Sequence, residues 1–316
     1  MAPVETDEGL RMLGKYSRWQ LLIYFVLSIV IDLVFAWGMM SVIFIADMPD
    51  HHCHVPGNAT LNETIPRVYS ADGWRWSQCS MYVNLSVGNE TEPCRHGYWY
   101  DPASGYQSTL VTEFNLVCER DALAETSMLL SAAGQTVGAL VCNYLADHLG
   151  RKPILLACVW SNAVIAFVQA ASPSFVFYAV LAFINGIQLQ GIVPTFFVLS
   201  LELFPTEQRT FAGVCLEFLW AFGCMTLAPL AYFIHNWRYL RIAVTIPFIP
   251  TIAFYWFLPE SIPWLVANGK AEKADKIMHQ AAKTNRILLP NHIFTDPESV
   301  ILIRERESLQ VERSVS

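Results

Sequence analysis

The chain has 316 residues, 54% of them apolar and only 15% charged, with a formal net charge of −7. A soluble domain carries about 25% charged residues, so the composition excludes an ordinary water-soluble globule. The charge is spread without a basic stripe, which excludes a nucleic-acid partner.

The first eight residues are acidic and lack the basic start of a cleaved signal peptide. Six long apolar runs follow, near residues 19–46, 124–146, 153–171, 175–201, 210–235 and 239–258. Each can cross a hydrocarbon core of about 30 Å at about 1.5 Å rise per residue. The first reads as an uncleaved signal-anchor. The expected organisation is a cytosolic segment 1–18, a first span 19–46, an extracellular loop 47–121, spans two to six over 124–258, and a cytosolic tail 259–316. Residues 264–284 of that tail have an amphipathic helical pattern.

The loop after the first run carries four N-glycosylation sequons, at Asn58, Asn62, Asn84 and Asn89, and the remaining asparagines form none. That clustering predicts a glycosylated loop facing the lumen or exterior. The basic residues agree. Arg11, Lys15, Arg18, Arg151, Lys152, Arg209 and the tail then fall inside, as the positive-inside rule expects, with Arg238 and Arg241 in an outer 235–241 turn as the exception. Four cysteines, Cys53, Cys79, Cys94 and Cys118, lie in this loop and are expected to form two disulfides in any of three pairings. The run His51-His52-Cys53-His54 has a poor zinc spacing, and no metal site is expected there. Cys142, Cys158, Cys215 and Cys224 are expected as small apolar packers.

Polar residues inside the runs are the candidates for chemistry. Asp32 sits near the middle of the first run, and Glu217 lies about 12 Å beyond Arg209 in the fifth, at about 1.5 Å per residue. Carboxylates at membrane depth are costly and mark ion or substrate pathways. They are expected to face a wet cavity, be protonated, or meet a cation. Gln188 and Gln190, with Asn185, Thr195 and Pro194, form a polar stretch in the fourth run, and Gln135 lies in the second. Such residues either line a cavity or join neighbouring helices. Tyr24, Phe35 and Trp37 could offer ring faces to a quaternary ammonium.

Four motifs occur in order. Ser108-Thr-Leu-Val-Thr-Glu-Phe-Asn-Leu-Val-Cys118 closes the loop, and Asp147-His-Leu-Gly-Arg-Lys-Pro153 joins the second and third runs. Glu202-Leu-Phe-Pro-Thr-Glu-Gln-Arg209 follows the fourth run, and Pro259-Glu-Ser-Ile-Pro-Trp-Leu265 the sixth. Together with the large loop they resemble the organic cation, carnitine and organic anion transporters of the major facilitator superfamily, over about residues 10–295. Departures are Asn143 where the family has Gly, His148 where it has Arg, and Ile262-Pro263 where it has Pro-Arg.

The resemblance implies an all-α membrane protein: six spans as two inverted three-helix repeats, 19–171 and 175–258, forming one half of a twelve-helix carrier. It implies movement of small organic cations or zwitterions by alternating access, with Asp32, Glu217, Gln135, Gln188, Gln190 and Tyr24 as cavity candidates. Asp147, Arg151, Glu202, Arg209 and Glu260 are candidates for a cytosolic gate. No cofactor is implied, although a coupling Na+ or H+ is compatible, and the expected setting is the plasma membrane with both termini cytosolic. Organic anions are the alternative substrate class. The alternative role is a non-transporting fragment that pairs with another carrier half or a second copy, and residues 1–316 alone are expected not to transport as a monomer. No P-loop, metal-ligand helix or nucleophile elbow points to an enzyme.

Overall fold

The computed structural model describes residues 2–55, 60–70, 73–83, 90–101, 108–290 and 293–294. A short helix, α1 (Ala2–Met12), leads to the first long one, α2 (Arg18–Ile45), which Ser17 and Gln20 start with a reciprocal capping box. Between α2 and the next long helix lies the loop. It holds α3 (Leu61–Thr64), α4 (Leu110–Phe114) and six short strands. The strands pair antiparallel as β1 (His51–Cys53) with β6 (Tyr98–Tyr100), β2 (Arg67–Ser70) with β3 (Gly73–Trp76), and β4 (Ser80–Tyr82) with β5 (Thr91–Pro93). The bundle is helical, as expected, and these ladders are what an all-α description omits.

Disulfides Cys53–Cys94 and Cys79–Cys118 fix the loop, selecting one of the three pairings. His51 lies beside the second bridge, but disulfide sulfurs offer no thiolate to a metal. Asn62 is exposed on α3 and accepts a hydrogen bond from Arg67. Asn58, Asn84 and Asn89 lie outside the described residues.

The remaining long helices are α5 (Asp121–Leu149), α6 (Arg151–Ala170), α7 (Phe175–Leu201) and α8 (Thr206–Phe233). The sixth span starts as α9 (Trp237–Thr245), tightens to a 3-10 stretch at Ile246–Ala253, and ends in α10 (Phe254–Phe257). Pro247 and Pro250 lack the N–H groups that an α-helix needs there. Two further helices, α11 (Ile262–Ala267) and α12 (Ala271–Asn285), follow. Among the described residues six helical segments are long and apolar enough to cross a membrane: α2, α5, α6, α7, α8 and Trp237–Phe257.

The closest packing pairs obey an internal symmetry. Exchanging α2, α5 and α6 for α7, α8 and α9 turns the α2–α8 contact into α7–α5, and α6–α7 into α9–α2. That is the pairing of two inverted three-helix repeats. The α5–α7 seam is the tightest part: a Cβ on Gly138 would sit 2.5 Å from the Ile187 carbonyl oxygen. Only a glycine lets the two backbones come this close.

One expectation about the helix ends changes. Arg238 and Arg241 do not lie in a turn, because the Asn236 side chain accepts the Arg238 N–H at 2.9 Å and starts α9 at Trp237. Arg241 is consequently a buried residue of the sixth span, 9% exposed. The N-terminal helix α1 packs on the start of α8. Asp7 accepts hydrogen bonds from the Thr206 backbone N–H and hydroxyl at 2.7 and 2.8 Å, capping α8, and Arg11 pairs with Glu207 at 2.8 Å.

The loop is tied back onto the bundle by its last motif. Glu113 accepts hydrogen bonds from Trp237 Nε1 at 2.6 Å and from the Arg238 guanidinium at 2.5–3.2 Å. Arg238 also donates to the carbonyls of Ala170 and Ser172, closing the C-terminus of α6.

Candidate functional site

A cavity of about 310 Å³ opens along α2, α5, α7 and α8. Asp32 and Glu217 both line it, with Gln135 and Gln190 from α5 and α7. The rest of the lining is apolar and aromatic, including Phe35, Phe196, Phe197 and Trp220. Asp32 is only 8% exposed, and its Oδ2 has no hydrogen-bond partner among the described residues. A buried carboxylate oxygen left unpaired costs free energy unless something else meets it. Glu217 is exposed on the open side. The Phe35 and Trp220 rings stand 5.5 Å apart.

The structure brings together Asp32, Glu217, Gln135 and Gln190 but not the other two candidates. Tyr24 is 2% exposed, donates to the Ala212 carbonyl at 2.5 Å and packs on Phe204, which fastens α2 to α8 away from the cavity. Gln188 is half-buried and does not line the cavity. Trp37 is likewise committed, donating to the Gly223 carbonyl and the Thr226 hydroxyl. Trp220, which the sequence reading did not single out, supplies the ring face instead. Its spacing of three from Glu217 puts the two on one helix face.

The end of the bundle where α1 and α11 pack holds the five charged gate candidates. Arg151 Nη2 pairs with Asp147 at 3.0 Å, and its Nε lies 3.7 Å from Glu202. Glu260 Oε1 accepts the backbone N–H groups of Arg151, Lys152 and Ser261 at 3.0, 3.1 and 3.0 Å. It therefore caps α6 from across the bundle, where the helix dipole favours a negative charge. Gly150 precedes that helix at φ +118°, and a Cβ there would strike the Glu260 carboxylate. Arg209 donates to the Phe204 carbonyl at 3.1 Å, holding the turn before α8. Trp264 Nε1 donates to the Asp147 carbonyl at 2.6 Å, so α11 also ties α5. Burial pushes the Glu202 carboxyl above its ordinary value and Glu260 adds to the rise, against the Ser261 hydroxyl, Arg151 and Arg209.

Comparison with known proteins accords with this arrangement. Residues 94–293 match the family described as "Sugar (and other) transporter". The chain is 33% identical over 300 residues to the organic cation transporter protein of Drosophila melanogaster, covering 91% of this chain and 54% of that protein. It is 35% identical over 319 residues to organic cation/carnitine transporter 2 of Homo sapiens, covering 92% and 56%. It is 35% identical over 286 residues to organic anion transporter 3 of Pongo abelii, covering 88% and 52%. The chain thus spans about half the length of the curated relatives it matches. Among solved structures, the xylose transporter XylE from E. coli in a partially occluded inward open conformation aligns with a TM-score of 0.56 at 16% identity. That alignment covers 94% of this chain and 61% of the other. Six membrane-length helices, the repeat symmetry and these matches agree: the chain is a multi-pass membrane protein that belongs to the sugar (and other) transporter family and folds as one six-helix half of a major facilitator carrier.

Proposed function

We propose that the chain forms one wall of a secondary carrier that moves small organic ions, cationic or zwitterionic, by alternating access. The observation that carries the reading is the meeting of Asp32 and Glu217 with Trp220 and Phe35 in one cavity. Carboxylates beside aromatic faces suit an organic ammonium, which gains both charge pairing and ring contact. Among the described residues no basic side chain lines that cavity, so the charge is left for a substrate or a coupling cation, Na+ or H+. The relatives' names supply the substrate class, and a second six-helix bundle supplies the opposite wall. In this reading the disulfide-bonded loop faces the cell exterior with N-linked sugar, both termini are cytosolic, and the membrane is the plasma membrane. The Arg151, Asp147, Glu202 and Glu260 cluster then acts as the inner gate.

The test is uptake of tetraethylammonium by cells expressing the carrier, with surface protein quantified by biotinylation. Asp32→Asn keeps size and hydrogen bonding but removes charge, and should reduce uptake at least about tenfold at unchanged surface level. Unchanged uptake would refute the assignment.

A further inference from the structure

A second cavity, of about 270 Å³, adjoins the first on the side nearer the loop. Met39, Gln135 and Leu189 line both, so the two share a wall. Among the described residues no acidic one lines the second; its polar lining includes Arg241, Gln169, Tyr178 and Asn185. Arg241 makes a hydrogen bond to Gln169 Oε1 at 2.7 Å, but its Nε is buried with no partner among the described residues. The Asn185 Nδ2 is buried and unpartnered in the same way. Arg238, one turn earlier, shows what a satisfied arginine looks like here: it has Glu113 and two carbonyls. A guanidinium at membrane depth without a counter-charge is costly, and its planar fork matches a carboxylate.

We infer that Arg241, Gln169 and Asn185 form a carboxylate-binding subsite, which takes the anionic end of a zwitterion whose ammonium end sits against Asp32. The inference rests on the organic-ion reading above and extends it to substrate shape. Asp32 lines only the first cavity and Arg241 only the second, so a ligand that reaches both carries its two charges several bonds apart.

The test is equilibrium binding to the full chain in nanodiscs, using γ-trimethylammonium butyrate, its methyl ester and tetraethylammonium. The unmutated chain should bind the acid at least about tenfold tighter than the ester. Arg241→Gln should reduce that preference to within about twofold while leaving tetraethylammonium affinity within about twofold, and Arg241→Lys should retain part of the preference. The acid–ester comparison needs no variant, so it stands even if Arg241→Gln fails to fold. Equal binding of acid and ester, or equal weakening of tetraethylammonium by Arg241→Gln, overturns the subsite. So does a chloride-dependent rise in Tm without acid preference, which assigns the cavity to an inorganic anion. Binding of tetraethylammonium without acid preference refutes only the subsite, whereas binding of neither ammonium compound refutes the organic-ion reading as well.

Discussion

Glu260 offers the sharpest test of how the bundle is held at the start of α6. One carboxylate oxygen serves three backbone N–H groups, two of them in the first turn of α6. Replacing it by alanine removes a helix cap, which costs about 0.5–2 kcal/mol. It also removes a negative charge at the positive end of the helix dipole, worth about 0.3–1 kcal/mol. Because the site is half-buried, we take about 2 kcal/mol as the sum for Glu260→Ala. Glu260→Gln keeps an acceptor oxygen and loses only the charge, so about 0.5–1 kcal/mol is expected. The assay is reversible unfolding of the purified chain in mixed micelles, with Glu207→Ala as control. Glu207 is 72% exposed at its side chain and paired only at the surface, so its loss should cost no more than about 0.5 kcal/mol. An alanine variant within about 0.5 kcal/mol of the parent, or a glutamine variant worse than alanine, would refute the capping argument.

Other outcomes follow from the loop and the helix seams. Burial pulls the Glu113 carboxyl upward, but hydrogen bonds from Arg238 and Trp237 outweigh it and hold the group below its ordinary value of 4.5. Its stabilisation is therefore present above that value and lost as pH falls through the lower folded one. Hydrogen exchange at 108–114 should rise with acid, and Glu113→Gln, costing about 1 kcal/mol after allowance for its exposure, should abolish the acid step. An unchanged step in that variant assigns it to another group. At the α5–α7 seam, Gly138→Ala should lower the folded yield sharply, while Gly38→Ala, with nothing within 4 Å of its Cβ, should be neutral or slightly stabilising. Equal effects would contradict the close approach. Peptide mapping without reductant should recover Cys53–Cys94 and Cys79–Cys118. Reducing the first, which closes a separation of 41 residues, should cost the loop about 4 kcal/mol. A Cys53–Cys79 peptide would contradict the loop architecture.

What the sequence made legible was whatever has a local cause. Apolar runs of membrane length fix the long helices, because an unpaired backbone cannot cross lipid. Asp32 and Glu217 stand out because charge is rare in such runs. Their meeting in one cavity was not legible, since it depends on α2 packing against α8. Tyr24 and Trp220 show the same limit: both are aromatics in apolar helices, and only the packing turns one into a strut and the other into a cavity wall. In the sequence Arg241 falls where the outer turn and the sixth apolar run overlap; the signal that places it inside the helix is Asn236, a helix-capping residue just ahead of Trp237. Pro247 and Pro250, three apart, likewise foreshadow the 3-10 stretch. The Glu113–Arg238 tie joins the loop's last motif to the start of α9, far apart in the chain, and nothing local announces it.

The central claim is that an organic cation occupies the cavity between Asp32 and Glu217, and the most direct measurement locates it there. Gln190 lines that cavity and Gln188 does not. Gln190→Cys and Gln188→Cys, each placed in a background with Cys142, Cys158, Cys215 and Cys224 replaced by alanine, can be labelled with a methanethiosulfonate reagent. Tetraethylammonium should slow labelling at position 190 at least about fivefold and leave position 188 unchanged, and adding Asp32→Asn should abolish the protection. Equal protection at both positions, or protection that survives Asp32→Asn, would contradict the account.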